Sequence, residues 1–284
     1  MMRRLDVPLI MLWLLILGLG TVMVASSAAA IGAGYLAKHG VFLTLACLAF
    51  ASMLVIPLSW WQRGHRLAWL LAVVLCIVVL IPGIGTEVNG ARRWIGLGGF
   101  SIQPAEVAKF LLLIYLAGYL ARFNEQLSDD PMVLVRPMLM LGVVAALLLM
   151  QPDFGSIVVI GSAAIGLLFI AGARLRHFLL AVVLAATALV ILAYTQPYRI
   201  ERLIAFTDPW SFAYGSGYQL TQALIAFGRG ELFGLGLGEG IQKLFYLPEA
   251  HNDFIFAMIA EELGLVGALL VLLLFCLLVL RLLR

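Results

Sequence analysis

Apolar runs of membrane-crossing length recur along this chain, and they constrain its fold more than any other feature. Eight are centred on Leu9–Val24, Gly40–Leu58, Leu67–Pro82, Val107–Leu120, Val133–Met150, Ile157–Ala171, His177–Tyr194 and Phe254–Leu280. A bilayer core takes roughly 20 residues of helix, so the run at Val107–Leu120 needs flanking residues to complete its span. Peptide groups in hydrocarbon find no water, so spans this apolar are helices rather than barrel strands. With 64% hydrophobic and 12% charged residues among 284, a soluble domain is excluded. The expected fold class is an all-α integral membrane protein, a polytopic helix bundle with eight transmembrane helices and one large extracytoplasmic loop.

Arginines mark alternate ends of these runs: Arg3 and Arg4, Arg63 and Arg66, Arg122 and Arg136, Arg174 and Arg176, Arg281 and Arg284. The positive-inside rule places those ends and the N-terminus in the cytoplasm. Residues 25–39, 83–106, 151–153 and 195–253 then face outward. The first run precedes Ala25-Ser26-Ser27-Ala28-Ala29-Ala30, which imitates a signal-peptide cleavage site, but the topology works with that helix retained. Cys47, Cys76 and Cys276 fall inside the spans without metal-ligand spacing and read as buried apolar thiols.

The outer segments carry the unusual sequence. Residues 83–106 are too polar to span and rich in Gly and aromatics. Gln151-Pro152-Asp153-Phe154-Gly155 reads as a tight turn between two spans. Residues 195–252 form the largest polar element, with an amphipathic helix expected at Tyr218–Phe227. The run Gly234-Leu235-Gly236-Leu237-Gly238-Glu239-Gly240 lacks the spacing and the βαβ context of a nucleotide loop. It reads as a flexible segment over a substrate.

Several polar side chains stand out, each with a plain structural reading beside the chemical one. Asp253 immediately precedes the last apolar run, where an Asp caps a helix and suits its positive end; the same carboxylate is placed to act as a general base. Glu261 and Glu262 lie deeper in that run, where carboxylates are costly and face a cavity or a partner. At 100° per residue, Glu261 falls about 80° from Asp253 and Glu262 about 180° away, which favours Glu261 for a shared cavity. Glu106 and Lys109 are helical i,i+3 neighbours, close in sequence to Arg92, Arg93 and Trp94. Cations there suit an anionic headgroup.

Together, Asn89-Gly90-Ala91-Arg92-Arg93-Trp94-Ile95, Ile102-Gln103-Pro104-Ala105-Glu106-Val107-Ala108-Lys109, Gln151-Pro152-Asp153-Phe154-Gly155 and Leu247-Pro248-Glu249-Ala250-His251-Asn252-Asp253-Phe254 resemble, in order, the motifs of the SEDS family of cell-wall polymerases. Pro197–Arg202 and Tyr218–Leu232 are similar to its division branch. The resemblance covers nearly the whole chain. It implies a peptidoglycan glycosyltransferase that polymerises lipid II by inverting transfer on the outer face of the cytoplasmic membrane, for septal wall synthesis. The donor is a glycan on undecaprenyl pyrophosphate, and the acceptor is the 4-hydroxyl of an incoming lipid II.

The resemblance makes Asp253 the base, alone or through a divalent cation, Mg2+ or Mn2+, with no organic cofactor. It makes Arg93, Trp94, Gln103, Glu106, Lys109, Asp153, Lys243, Glu249, His251 and Glu261 candidate substrate contacts. It also implies a class B penicillin-binding protein as transpeptidase partner, other divisome proteins and membrane lipid, with no nucleic acid. Two departures stand out: Asn252 replaces the family's usual Thr, and the chain carries eight expected helices where the family has ten. The expected organisation is a single membrane domain over 1–284, lacking the last two helices, with 195–252 as the active-site loop. Competing classes are a lipid II flippase or transporter and a non-enzymatic scaffold for the transpeptidase. An acid at the outer interface, rather than at the midplane where transporter sites cluster, favours the enzyme.

Overall fold

A computed structural model describes residues 6–29, 32–88, 90–97, 100–127, 130 and 132–283. Arg3, Arg4, Ala30, Asn89 and Arg284 of the readings above lie outside the described residues. In chain order the elements are α1 (Val7–Ala28), α2 (Ala33–Val55), α3 (Leu58–Val78), β1 (Gly85–Val88), β2 (Ala91–Leu97), β3 (Phe100–Ile102), α4 (Pro104–Arg122), a 3-10 turn (Asn124–Gln126), α5 (Met132–Met150), α6 (Phe154–Ile170), α7 (Leu175–Tyr194), α8 (Pro197–Thr207), α9 (Tyr218–Gly230) and α10 (Ile255–Leu282).

The chain is a multi-pass membrane bundle, and each of the eight expected apolar runs is a helix. Among the described residues, six are long and apolar enough to cross a membrane: α1, α2 from Gly34, α4, α5, α7 and α10. The other two fall outside that group for visible reasons. Helix α6 has 17 residues, and α3 carries Gln62, Arg63, His65 and Arg66 in its first half.

Two compact units divide the chain. One comprises Met1–Ala46 and Gln196–Arg284, the other Cys47–Thr195. The first centres on α1, α9 and α10 and packs Met23, Ala223, Ala226, Leu247, Ala257 and Met258 into its core. Small residues let α9 approach α10 closely, as packing between membrane helices favours. The Gly230 Cα is so near the Ala260 carbonyl that an added Cβ would lie 1.8 Å from that oxygen.

The second unit is built on α3 to α7, with Ala72, Cys76, Ala108, Leu112, Leu116, Val144, Leu148 and Leu168 buried between helices. Helix α4 opens with Pro104 in its first turn, where the missing amide has no role to lose. Helix α6 is capped by Asp153, whose Oδ1 accepts from the Ser156 amide at 3.2 Å. Between α3 and α4 the segment over 85–102 folds as a three-stranded antiparallel sheet of order β1-β2-β3. Val88 pairs with Ala91 across the first turn, and Gly90 there takes φ +75°, the left-handed geometry that an Asn-Gly hairpin turn requires. This sheet is an addition to the expected all-helical bundle.

Candidate active site

From Gln196 the loop between α7 and α10 lies in the first unit, and its stretch from Arg229 to Lys243 is pinned to α10. Helix α10 breaks at Gly264, which takes φ +69° and ψ −169°. Unbroken, the helix would have Leu265 N–H donate to Glu261 C=O, and Val266 N–H to Glu262 C=O. Instead Leu265 donates to the Glu231 carbonyl at 2.9 Å and Val266 to the Leu232 carbonyl at 3.1 Å. The two freed carbonyls accept from the loop, Glu261 C=O from Leu235 N–H and Glu262 C=O from Gly236 N–H, both at 3.0 Å. The Glu261 and Glu262 carbonyls and the Leu265 and Val266 amides thus regain partners, as backbone groups in a span demand. Gly234 and Gly264 meet at the crossing, where a Cβ on Gly264 would stand 2.3 Å from the Gly234 nitrogen.

The two acids before the break hold the rest of the loop. Glu262 is buried; its Oε1 lies 2.6 Å from the Lys243 ammonium, and its Oε2 accepts from the Gly238 amide at 3.0 Å. The Ser26 hydroxyl donates to Glu262 at 2.7 Å and accepts from Lys243 at 3.0 Å. Lys243 also donates to the Gly238 carbonyl at 2.6 Å. Glu261, fully buried, accepts from the Ile241 amide at 3.1 Å and the Gln242 amide at 3.2 Å, with Arg229 Nε 3.4 Å away.

Glu261 and Lys243, expected among the substrate contacts, are buried and engaged inside the chain. Desolvated charges need partners, and the loop supplies them. Glu262, which helical spacing puts about 180° from Asp253, grips the same loop as Glu261: a Cβ on Gly240 would stand 2.9 Å from a carboxylate oxygen of each. The Gly-rich run is therefore a strap fixed by main-chain and carboxylate bonds.

That strap leads to the turn that carries Asp253. Glu249 takes φ +55° and its carbonyl accepts from the Asn252 amide at 3.0 Å. The Asn252 side chain donates to the Glu249 carboxylate at 2.9 Å and accepts from the Tyr35 hydroxyl at 3.0 Å. His251 stands edge-on to the Tyr35 ring at 4.4 Å, with its Nε2 3.7 Å from Glu249. Asp253 is exposed, and Phe254, not Asp253, occupies the N-cap of α10. The capping expectation is thereby corrected: the turn places Asp253 one residue before the cap. Among the described residues no hydrogen bond or ion pair engages its carboxylate, while the flanking residues are tied down.

In the second unit the remaining candidates form a separate arrangement. Arg93 on β2 donates from Nε to the Gln151 carbonyl at 3.0 Å and from a terminal nitrogen to the Pro152 carbonyl. Gln103 donates to Asp153 at 3.1 Å, and Gln151 donates to the Cys76 carbonyl at 3.0 Å. The sheet is thus tied to the turn between α5 and α6. Trp94 pairs with Thr86 across the hairpin. Lys109 and Glu106 form an ion pair of 2.7 Å, with Glu106 the more exposed.

Tyr35, Ser26, Arg229 and the break at Gly264 were not legible as site elements. Ser26 sat in a run read for its likeness to a cleavage site. The other three signal nothing by spacing alone. Among the described residues no group of three His, Cys, Asp or Glu side chains gathers that would hold a metal ion. The approach of His251 to Glu249 brings two such groups together.

A polytopic membrane bundle with a long polar loop buttoned onto a broken span, and a carboxylate without a described partner at the head of that span, defines a multi-pass membrane protein with a candidate site on its loop. The chain belongs to the FtsW, RodA and SpoVE family of cell cycle proteins, whose model matches residues 6–284. It is 50% identical over 275 residues to a probable peptidoglycan glycosyltransferase FtsW of Pseudomonas fluorescens, covering 93% of this chain and 67% of that one. It is 47% identical over 285 residues to the protein of the same description from Methylomonas methanica, covering 98% and 74%.

Two solved structures are similar. One belongs to work on the structural coordination of polymerization and crosslinking by a peptidoglycan synthase complex (TM-score 0.74, 27% identity, 97% of this chain and 76% of that one). The other is the rod shape determining protein RodA of Thermus thermophilus (TM-score 0.68, 26% identity, 99% and 74%).

Proposed function

We propose that the chain is a peptidoglycan glycosyltransferase that polymerises lipid II for the septal wall, with Asp253 as its base. The observation that carries this reading is the Asp253 carboxylate: exposed, without a described partner, and set at the end of an apolar span on a turn whose neighbours are fixed. Its relatives' description as probable peptidoglycan glycosyltransferases supports the reaction class.

In the proposed reaction Asp253 accepts the proton of the acceptor's 4-hydroxyl. The oxygen attacks C1 of the donor sugar, the bond from C1 to the pyrophosphate oxygen breaks, and undecaprenyl pyrophosphate leaves with the bonding pair. One inversion converts an α-linked donor to a β-1,4 product, so a single base suffices and no glycosyl-enzyme is needed. A fixed turn fits this role, since small displacements of a base are costly to rate. The remaining candidates of the second unit, Arg93, Trp94, Gln103, Glu106, Lys109 and Asp153, are assigned to the headgroup, and Glu249 and His251 to the surroundings of Asp253.

The arginine pattern supports an extracytoplasmic loop over 195–253 and a cytoplasmic N-terminus. The peptidoglycan synthase complex to which the chain is similar supports a class B penicillin-binding protein as partner. A transporter needs a carboxylate available at midplane depth, and the internal engagement of Glu261 and Glu262 favours the polymerase over that reading. A divalent cation, Mg2+ or Mn2+, is proposed as an aid to pyrophosphate departure that the mechanism does not require.

The test is lipid II polymerisation by the complete protein with its transpeptidase, wild type against Asp253→Asn. Glycan strands are expected from the first alone. Equal product from both removes Asp253 as the base, and no product from a folded wild-type complex removes the polymerase.

A further inference from the structure

Cations suit an anionic headgroup, yet in the first unit the cations of the long loop are nearly all engaged. Arg229 faces Glu261, Lys243 is locked to Glu262, and Arg199 is buried with its Nε on the Tyr198 hydroxyl. Arg202 is the exception. It is exposed on α8, and among the described residues no hydrogen bond or ion pair engages it.

Arg202 lines an open cleft of about 210 Å³ between α8 and the start of α9. Ser216 and Gln219 add neutral polar side chains to the lining, and Phe206, Leu220 and Phe254 supply apolar walls. Among the described residues no carboxylate lines it, and Phe254 is the residue next to Asp253. A cleft with one unpaired guanidinium, two neutral hydrogen-bonding groups and no acid suits an anion with oxygens to share. A guanidinium takes phosphoryl or carboxylate oxygens two at a time.

We propose that this cleft is an anion-binding subsite, in which Arg202 seats a phosphoryl or carboxylate group of the lipid-linked substrate beside Asp253. The inference rests on the polymerase reading for the identity of the substrate. Lipid II carries both kinds of anion, on its pyrophosphate and on its stem peptide. The apolar walls suit the parts of the molecule that flank either one.

The experiment measures equilibrium binding of lipid II to the complete protein in nanodiscs, on an Asp253→Asn background so that turnover does not enter. Adding Arg202→Gln weakens binding by about tenfold or more, the effect of one charge-assisted contact, and Arg202→Lys falls between. Because Arg202 is exposed and unpaired, its variants keep the thermal midpoint of the parent. Lipid II with amidated stem-peptide carboxylates identifies the anion. A penalty that persists assigns the phosphoryl group, and one that disappears assigns the peptide carboxylate. Unchanged affinity of Arg202→Gln for ordinary lipid II overturns the subsite. The polymerase reading stands or falls separately, on whether the wild type makes glycan.

Discussion

The Lys243 ammonium lies 2.6 Å from the Glu262 carboxylate, with both side chains almost fully withdrawn from solvent. Removing one member strands the other in a low-dielectric surrounding. Lys243→Met or Glu262→Met alone is expected to destabilise the protein by roughly 3–5 kcal/mol. The double replacement costs less than the sum, because no unpaired charge remains. Thermal unfolding in detergent measures all three, and strictly additive losses would show the pair to be uncoupled.

Asp253 lacks the internal partners that Glu261 and Glu262 have. Asp253→Asn should leave the unfolding midpoint within about 0.5 kcal/mol of the parent, as surface changes do, while polymerisation falls by at least about 100-fold, the effect of a general base. A variant that loses activity and stability together would assign Asp253 a structural role.

Three glycines of the loop and span should respond differently to one methyl group. At Gly264 and Gly234 the left-handed backbone is compounded by overlap, with added Cβ atoms 2.3 Å and 2.2 Å from main-chain atoms across the crossing. Gly238 is also left-handed, at φ +88°, but opens onto free space. Gly238→Ala should therefore cost only about 1–2 kcal/mol, and the other two substantially more. Equal destabilisation at all three positions would contradict a tight crossing.

Acid should loosen the join between α1 and α10. Arg281 donates to Asp6 at 2.9 Å, and this bond, aided by the Leu9 amide, holds the Asp6 carboxyl below its usual value. A depressed folded-state pKa gives stability that is present above the unfolded value, about 3.9, and is lost as pH falls through the folded one. Between pH 6 and pH 3, Asp6→Asn should therefore show a shallower fall in thermal midpoint than the parent. Parallel curves would show that the pair contributes nothing.

The bundle was legible because an apolar run in hydrocarbon has one backbone solution. The helix at 218–230 was legible for a related reason, since its polar and apolar residues alternate at helical spacing. The sheet over 85–102 was not: three short strands rich in Gly show no alternation strong enough to separate them from a loop. Asp253 stood out because an acid at the head of an apolar run has few explanations. The roles of Glu261 and Lys243 were hidden because their partners, 19 residues away in sequence, meet only once the loop folds back. A helical wheel measures direction around one helix, and it cannot report a loop that folds back onto that helix. The break at Gly264 escaped for the same reason, since a Gly inside an apolar run also suits close helix packing.

The crossing at Gly264 makes loop and span interchangeable as sources of order. Four main-chain bonds are shared, so neither partner can slip by one residue without breaking them. The loop therefore inherits its register from the membrane helix rather than from its own sequence. The turn at Asp253 is accordingly set from two directions, by the start of α10 directly and by the middle of α10 through the strap.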